Sequence, residues 1–93
     1  MIRREGNLYL LEGPVTMATV EAVLAEGEGA FDGPEVQVDL ARMAEVDSSA
    51  VSLLLEWSRR AARKGQRLTL RNPPANLRSL AALYGVSNLL PVA

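Results

Sequence analysis

Three short strand-like runs, each followed by a stretch with a helical period, constrain this chain more than any other feature. Val36, Val38 and Leu40 alternate with Gln37 and Asp39, and Arg67-Leu68-Thr69-Leu70-Arg71 alternates in the same way. Successive side chains of a strand point to opposite faces, so both runs are expected as strands with one buried face. Leu8-Tyr9-Leu10-Leu11, aromatic and branched and ended by Gly13-Pro14, reads as a third strand entering a turn. Between them Met17, Val20, Val23 and Leu24 recur at helical spacing, with Thr16 as the expected cap and an end near Gly27 and Gly29. A second helix is marked at its start by Asp47-Ser48-Ser49 and at its finish by Lys64-Gly65. Asn72-Pro73-Pro74 introduces a third, with Leu77, Leu80, Ala81 and Tyr84 on one side and Gly85 at its end. The order strand, helix, strand, helix, strand, helix predicts an α/β domain whose crossovers join mainly parallel strands.

The chain has 93 residues, which at roughly 100 to 200 residues per domain leaves room for a single domain over 1–93. Ten Lys and Arg against eleven Asp and Glu give a formal charge of -1, so no positive field recruits nucleic acid. Cysteine and histidine are both absent, which removes disulfides, thiol nucleophiles and the commonest zinc ligands. No metal or other cofactor is expected. Catalysis would have to come from carboxylates, lysine or an activated serine, and no serine has a base beside it in sequence; nor is there a P-loop. The reading is of a non-enzymatic binding module. The longest apolar stretches, such as Val51 with Leu53 to Leu55, fall far below the ~18 residues of a membrane span. Met1 to Gly6 has basic residues but no following apolar h-region, so the cytoplasm is the expected compartment.

One segment is chemically pointed: Glu45-Val46-Asp47-Ser48-Ser49-Ala50-Val51, at the expected start of the second helix. A helix N-terminus presents unpaired N–H groups and a partial positive charge, so a hydroxyl there is either a cap or a place where phosphate is carried at reduced electrostatic cost. Both alternatives stand for Ser48, with Asp47 as a neighbouring acceptor. At about 100° per residue, Val51, Leu54, Leu55, Ser58 and Ala62 share the side expected to face the core. Leu53 and Trp57 then fall outside it, in a stripe with Ser49, Arg60 and Lys64 that reads as a mixed apolar and basic docking strip. The competing reading puts Trp57 at the margin of the core. Arg59, Arg60, Arg63 and Lys64 also suit a helix C-terminus, where cations are stabilised by the dipole.

Over nearly its whole length the chain resembles the STAS family, which includes bacterial anti-sigma-factor antagonists and the MlaB-type subunit of a phospholipid-transport ABC system. Gly13-Pro14-Val15-Thr16 stands where the family has a Gly-x-hydrophobic-Asp/Thr turn, and Val36 to Leu40 is similar to its central strand. Val46-Asp47-Ser48-Ser49-Ala50-Val51 is similar to the family motif hydrophobic-Asp-Ser-Ser/Thr-Gly-Leu, with Ala50 replacing the usual glycine. Leu80 to Val86 and Leu89-Leu90-Pro91 resemble the end of the MlaB-type subunit. The resemblance implies a STAS fold with a mixed, mainly parallel sheet of four to five strands and three to four helices. It also implies that Ser48 is the phosphoacceptor or regulatory position. Asp47, Ser48, Ser49, Leu53, Trp57 and Arg60 are then the expected partner-binding residues. The partner it implies is a protein, either the ATPase of an ABC transporter, which reaches the membrane only through that complex, or an anti-sigma-factor kinase. Alone, the chain is expected to be a monomer.

Overall fold

The computed structural model describes residues 1–93. The two alternating runs are β4 (Glu35–Asp39) and β6 (Arg67–Arg71), which pair in parallel, with Val36 beside Leu68 and Val38 beside Leu70. All four are buried, while Gln37, Asp39, Thr69 and Arg71 turn to the opposite, open face, where Arg71 Nε donates to Gln37 Oε1 at 2.7 Å. β2 (Leu8–Leu11) lies parallel to β4 on its other side. The expected topology is therefore present, and the sheet is mixed because β1 (Ile2–Glu5) adds an antiparallel edge, giving the order β1-β2-β4-β6.

β1 is a strand that the sequence reading left out. Its composition is mostly charged, which suits an edge strand that must not recruit a second sheet. It joins β2 through the two-residue turn Gly6-Asn7, with Gly6 at φ 61°. A hairpin turn of this length needs a positive φ at its first position, and glycine supplies it without a Cβ clash. Two further short strands, β3 (Gly13–Val15) at the expected turn and β5 (Met43–Val46) just before the second helix, pair in parallel as a separate two-stranded sheet. This pair positions the site, because β3 leads into the first helix and β5 into the second.

The helices α1 (Val20–Ala30), α2 (Ser48–Arg63) and α3 (Ala75–Leu83) follow strands β3, β5 and β6, and a 3-10 turn at Ser87–Leu89 comes last. α1 starts three residues later than Thr16 capping implies: Thr16 to Thr19 form a turn of their own, and Thr19 is the N-cap. It also continues through Gly27 and Gly29, because Gly27 lies under the indole of Trp57 and is held there by packing.

α2 lies at the centre of the helical layer and corrects the assignment of its own faces. Ala50, Val51, Leu53, Leu54, Trp57 and Ala61 are its buried apolar residues, whereas Leu55 and Ser58 are half-buried and Ala62 is exposed. Leu53 and Trp57 were expected on an outer docking strip; each is only 2% exposed, inside one core cluster with Tyr9, Val36, Val38, Leu68 and Leu70. The reason is that α2 is flanked on one side by α1, so a stripe displaced from the sheet still meets protein. Phe31 stands edge-on to Trp57 at 4.9 Å between ring centroids, and Tyr9 edge-on to Phe31 at 5.1 Å. On α3, Leu77 and Ala81 are buried, Leu80 is half-buried, and Tyr84, expected beside them, is 55% exposed. No helix is long and apolar enough to cross a membrane.

Candidate functional site

The start of α2 is built from a carboxylate and two hydroxyls that turn out to have different employment. Asp47, in extended backbone geometry, is the N-cap, and its Oδ1 accepts the backbone N–H of Ser49 at 2.9 Å. The Ser49 hydroxyl donates to the same oxygen, and the Ser49 residue is largely buried. The other carboxylate oxygen, Oδ2, accepts the N–H of Met17 at 3.0 Å, and the Asp47 N–H donates to the Val15 carbonyl at 3.4 Å. One side chain thus caps α2 and fixes the loop between β3 and α1. The Ser49 hydroxyl, followed by the Met17 N–H, holds the Asp47 carboxyl below its ordinary range, against the opposing effect of burial. These bonds are made to the charged form and therefore favour it.

Ser48 is the first residue of the helix, is exposed, and its Oγ has no partner within the chain, all local capping being done by Asp47. It sits at the mouth of an open cleft of about 260 Å³ lined with Val51, Ser52, Leu55, Tyr84 and Val86. Met17, whose backbone N–H reaches Asp47 at this helix end, is 77% exposed. Ser48 and Tyr84 thus share one cleft, where the first turn of α2 presents its positive end. A partner surface or a phosphate could meet Ser48 there without displacing any internal hydrogen bond.

The other residues expected at this surface are distributed elsewhere. Leu53 and Trp57 belong to the core, and the indole Nε1 is buried against Gly27 without an acceptor. Arg60 is half-buried at the seam of α1 and α2, where its Nε donates to Glu56 at 2.8 Å and its guanidinium lies 3.2 Å from Glu28. Arg60 holds both carboxyls below their ordinary range, and they in turn raise the pKa of Arg60. It acts as a clamp between helices, already committed to two anions. Of the six expected binding residues, then, the structure brings Asp47, Ser48 and Ser49 together and separates the other three from them.

The sequence reading missed Ser52, Leu55 and Tyr84 as neighbours of Ser48. A signal existed for two of them: Ser48, Ser52, Leu55, Arg59 and Ala62 recur every three or four residues, a second stripe beside the core one. No group of histidine, cysteine or carboxylate side chains that could hold a metal ion is present.

A solved structure of the anti-sigma factor antagonist SpoIIAA in its unphosphorylated form superimposes with a TM-score of 0.74 over all of this chain and 86% of that one, at 21% identity, which shows a shared fold. The crystal structure of Mglu matches 81% of this chain with a TM-score of 0.62 and 28% identity, and the chain spans only 20% of it. None of the curated proteins compared with the sequence matches it. The family model described as MlaB, STAS domain, matches residues 7–91, which takes in every strand and helix except β1, so the chain belongs to the STAS family.

Proposed function

We propose that this STAS domain is a non-enzymatic, cytoplasmic accessory subunit of an ABC phospholipid transporter, holding and tuning its ATPase through the surface around Ser48. The observation that carries the reading is the free, exposed hydroxyl at the first turn of α2, sharing an open cleft with the exposed Tyr84. The MlaB description of the matching family supports the choice of partner. STAS domains are in general binding and regulatory modules, and the arrangement around Ser48 offers recognition without a general base. Because Ser48 makes no internal bond, Ser48→Ala is expected to change stability by less than about 0.5 kcal/mol. Ser48→Asp places a fixed negative charge and added bulk in the contact and is expected to weaken association at least about tenfold. Co-elution with the cognate ATPase and its ATP turnover test both; a chain that neither co-elutes nor alters turnover ends this reading.

A second reading, an anti-sigma-factor antagonist in a partner-switching pathway, is favoured by the same hydroxyl and by the likeness to the SpoIIAA fold. Phosphorylation of Ser48 would then eject the partner through charge at the interface. Phosphate-affinity gels of protein from cells decide it: Ser48 unmodified under every growth condition counts against a switch.

A further inference from the structure

The cleft at Ser48 is one end of a longer feature. Leu55 also lines a second open cleft of about 370 Å³, together with Ser58, Arg59, Ala62 and Leu89. The two make a continuous groove along the outer stripe of α2, walled by Tyr84 and Val86 at one end and by Leu89 at the other. From Ser48 to Ala62 its floor runs about 21 Å at 1.5 Å per residue, the length of a helix of about 14 residues. Tyr84 and Leu89, 55% and 62% exposed, are large apolar side chains with nothing over them.

The charge along the groove is one-sided. Arg59 is the only charged residue lining it, and Arg63 follows one turn later, 69% exposed at its side chain. Glu56 is shared among Arg59, Arg60 and Arg63, and since Glu28 also meets Arg60, the shortfall of negative charge falls on Arg59 and Arg63, which have one carboxylate between them. An isologous dimer would place this same strip on both sides, and since no carboxylate lines the strip, a second copy cannot supply the missing anion.

We infer that this groove receives an amphipathic helix of the partner protein, with apolar anchors on Leu55, Tyr84 and Leu89 and an acidic flank against Arg59 and Arg63. The inference rests on the reading of the domain as a docking module and names the chemistry of what docks. Helix-in-groove recognition has this form, with anchors at three- and four-residue spacing.

The test uses the full chain and a display library of helices of about 14 residues. One face of each helix carries leucines, and glutamate, lysine or serine is randomised on the flanks. Enriched helices are expected to carry an excess of glutamate and to shift the backbone amide resonances of Leu55, Ala62 and Leu89. Arg59→Glu should lower their affinity by about fivefold and move the enrichment towards lysine. Leu89→Ser, which removes an exposed anchor and leaves the core intact, should weaken all of them. Enrichment no greater than with serine in place of the leucines overturns the inference. So do resonance shifts confined to another surface, glutamate and lysine helices retained equally, or concentration-dependent dimerisation that Leu89→Ser abolishes. Because no ATPase is needed, failure here is distinct from failure of the proposed function, which the Ser48→Asp association measurement reports.

Discussion

Replacing Gly27 by alanine sets helix propensity against packing, and the structure says which wins. In an open helix interior the change is worth about 1 kcal/mol in favour of alanine. At Gly27, however, an added Cβ would stand 2.6 Å from Cε2, Cζ2 and Nε1 of Trp57, where ordinary contact begins near 3.4 Å. The indole would have to retreat by most of an ångström, and Phe31 and Tyr9 are stacked edge-on behind it. Overpacking of this kind costs about 1–3 kcal/mol, so the net effect expected for Gly27→Ala is destabilisation of roughly 0–2 kcal/mol. Gly29, in the same helix with open space at its Cβ, is the control: Gly29→Ala should stabilise by about 0.5–1 kcal/mol. Urea unfolding followed by Trp fluorescence gives both values, and at about 4–8 °C per kcal/mol the thermal midpoints should separate visibly. In a Trp57→Leu background the ring atoms are gone and the penalty at Gly27 should shrink. If Gly27→Ala raised the midpoint as much as Gly29→Ala does, the indole would not be seated on α1, and Trp57 would return to consideration as an exposed docking residue.

Leu53→Ala is expected to cost about 2–5 kcal/mol because it empties a filled core site, while Leu83→Ala, at a side chain 75% exposed, should cost almost nothing; equal values in chemical denaturation would show the α2 face to be misassigned. Acid should weaken the fold in a defined direction: Glu12, Glu28, Asp47 and Glu56 all have folded-state pKa values below their ordinary ones of 4.5 and 3.8. Their contribution is therefore complete above those ordinary values and is lost as pH falls through the lower, folded ones. The urea midpoint should fall from about pH 4.5 downwards, and a midpoint unchanged to pH 2 would refute these pairings.

Periodicity revealed β4 and β6 because each has one face in the core and one in water, and the ends of α2 because side-chain oxygens and glycine mark them chemically. It failed at β1, whose residues are charged because an exposed edge favours charge over alternation; the surviving signal was Gly6-Asn7, a two-residue hairpin turn followed by a strand. It failed differently on α2, which carries two apolar stripes. Ala50, Leu53, Leu54, Trp57 and Ala61 follow one helical series as well as Val51, Leu55, Ser58 and Ala62 follow another. Spacing alone cannot say which stripe meets the sheet, and the bulk of Trp57 should have weighed more, since a large aromatic seldom stands uncovered. At the site, the capping of α2 by the Asp47-Ser48-Ser49 run was legible, but not the tie from Asp47 to Met17, which spans thirty residues of sequence.

The hairpin turn at Gly6-Asn7 opens β2 at the N-terminal ends of the parallel strands, whereas α2 begins beyond the C-terminal end of β5. Asn7 is exposed, and the chain contains no cysteine of its own. A cysteine introduced by Asn7→Cys would thus be a unique chemical handle at the pole opposite Ser48. Coupled there to a dye or a sensor chip, the domain would present its serine-bearing end outward, so attachment would leave that end clear for the partners it is asked to meet.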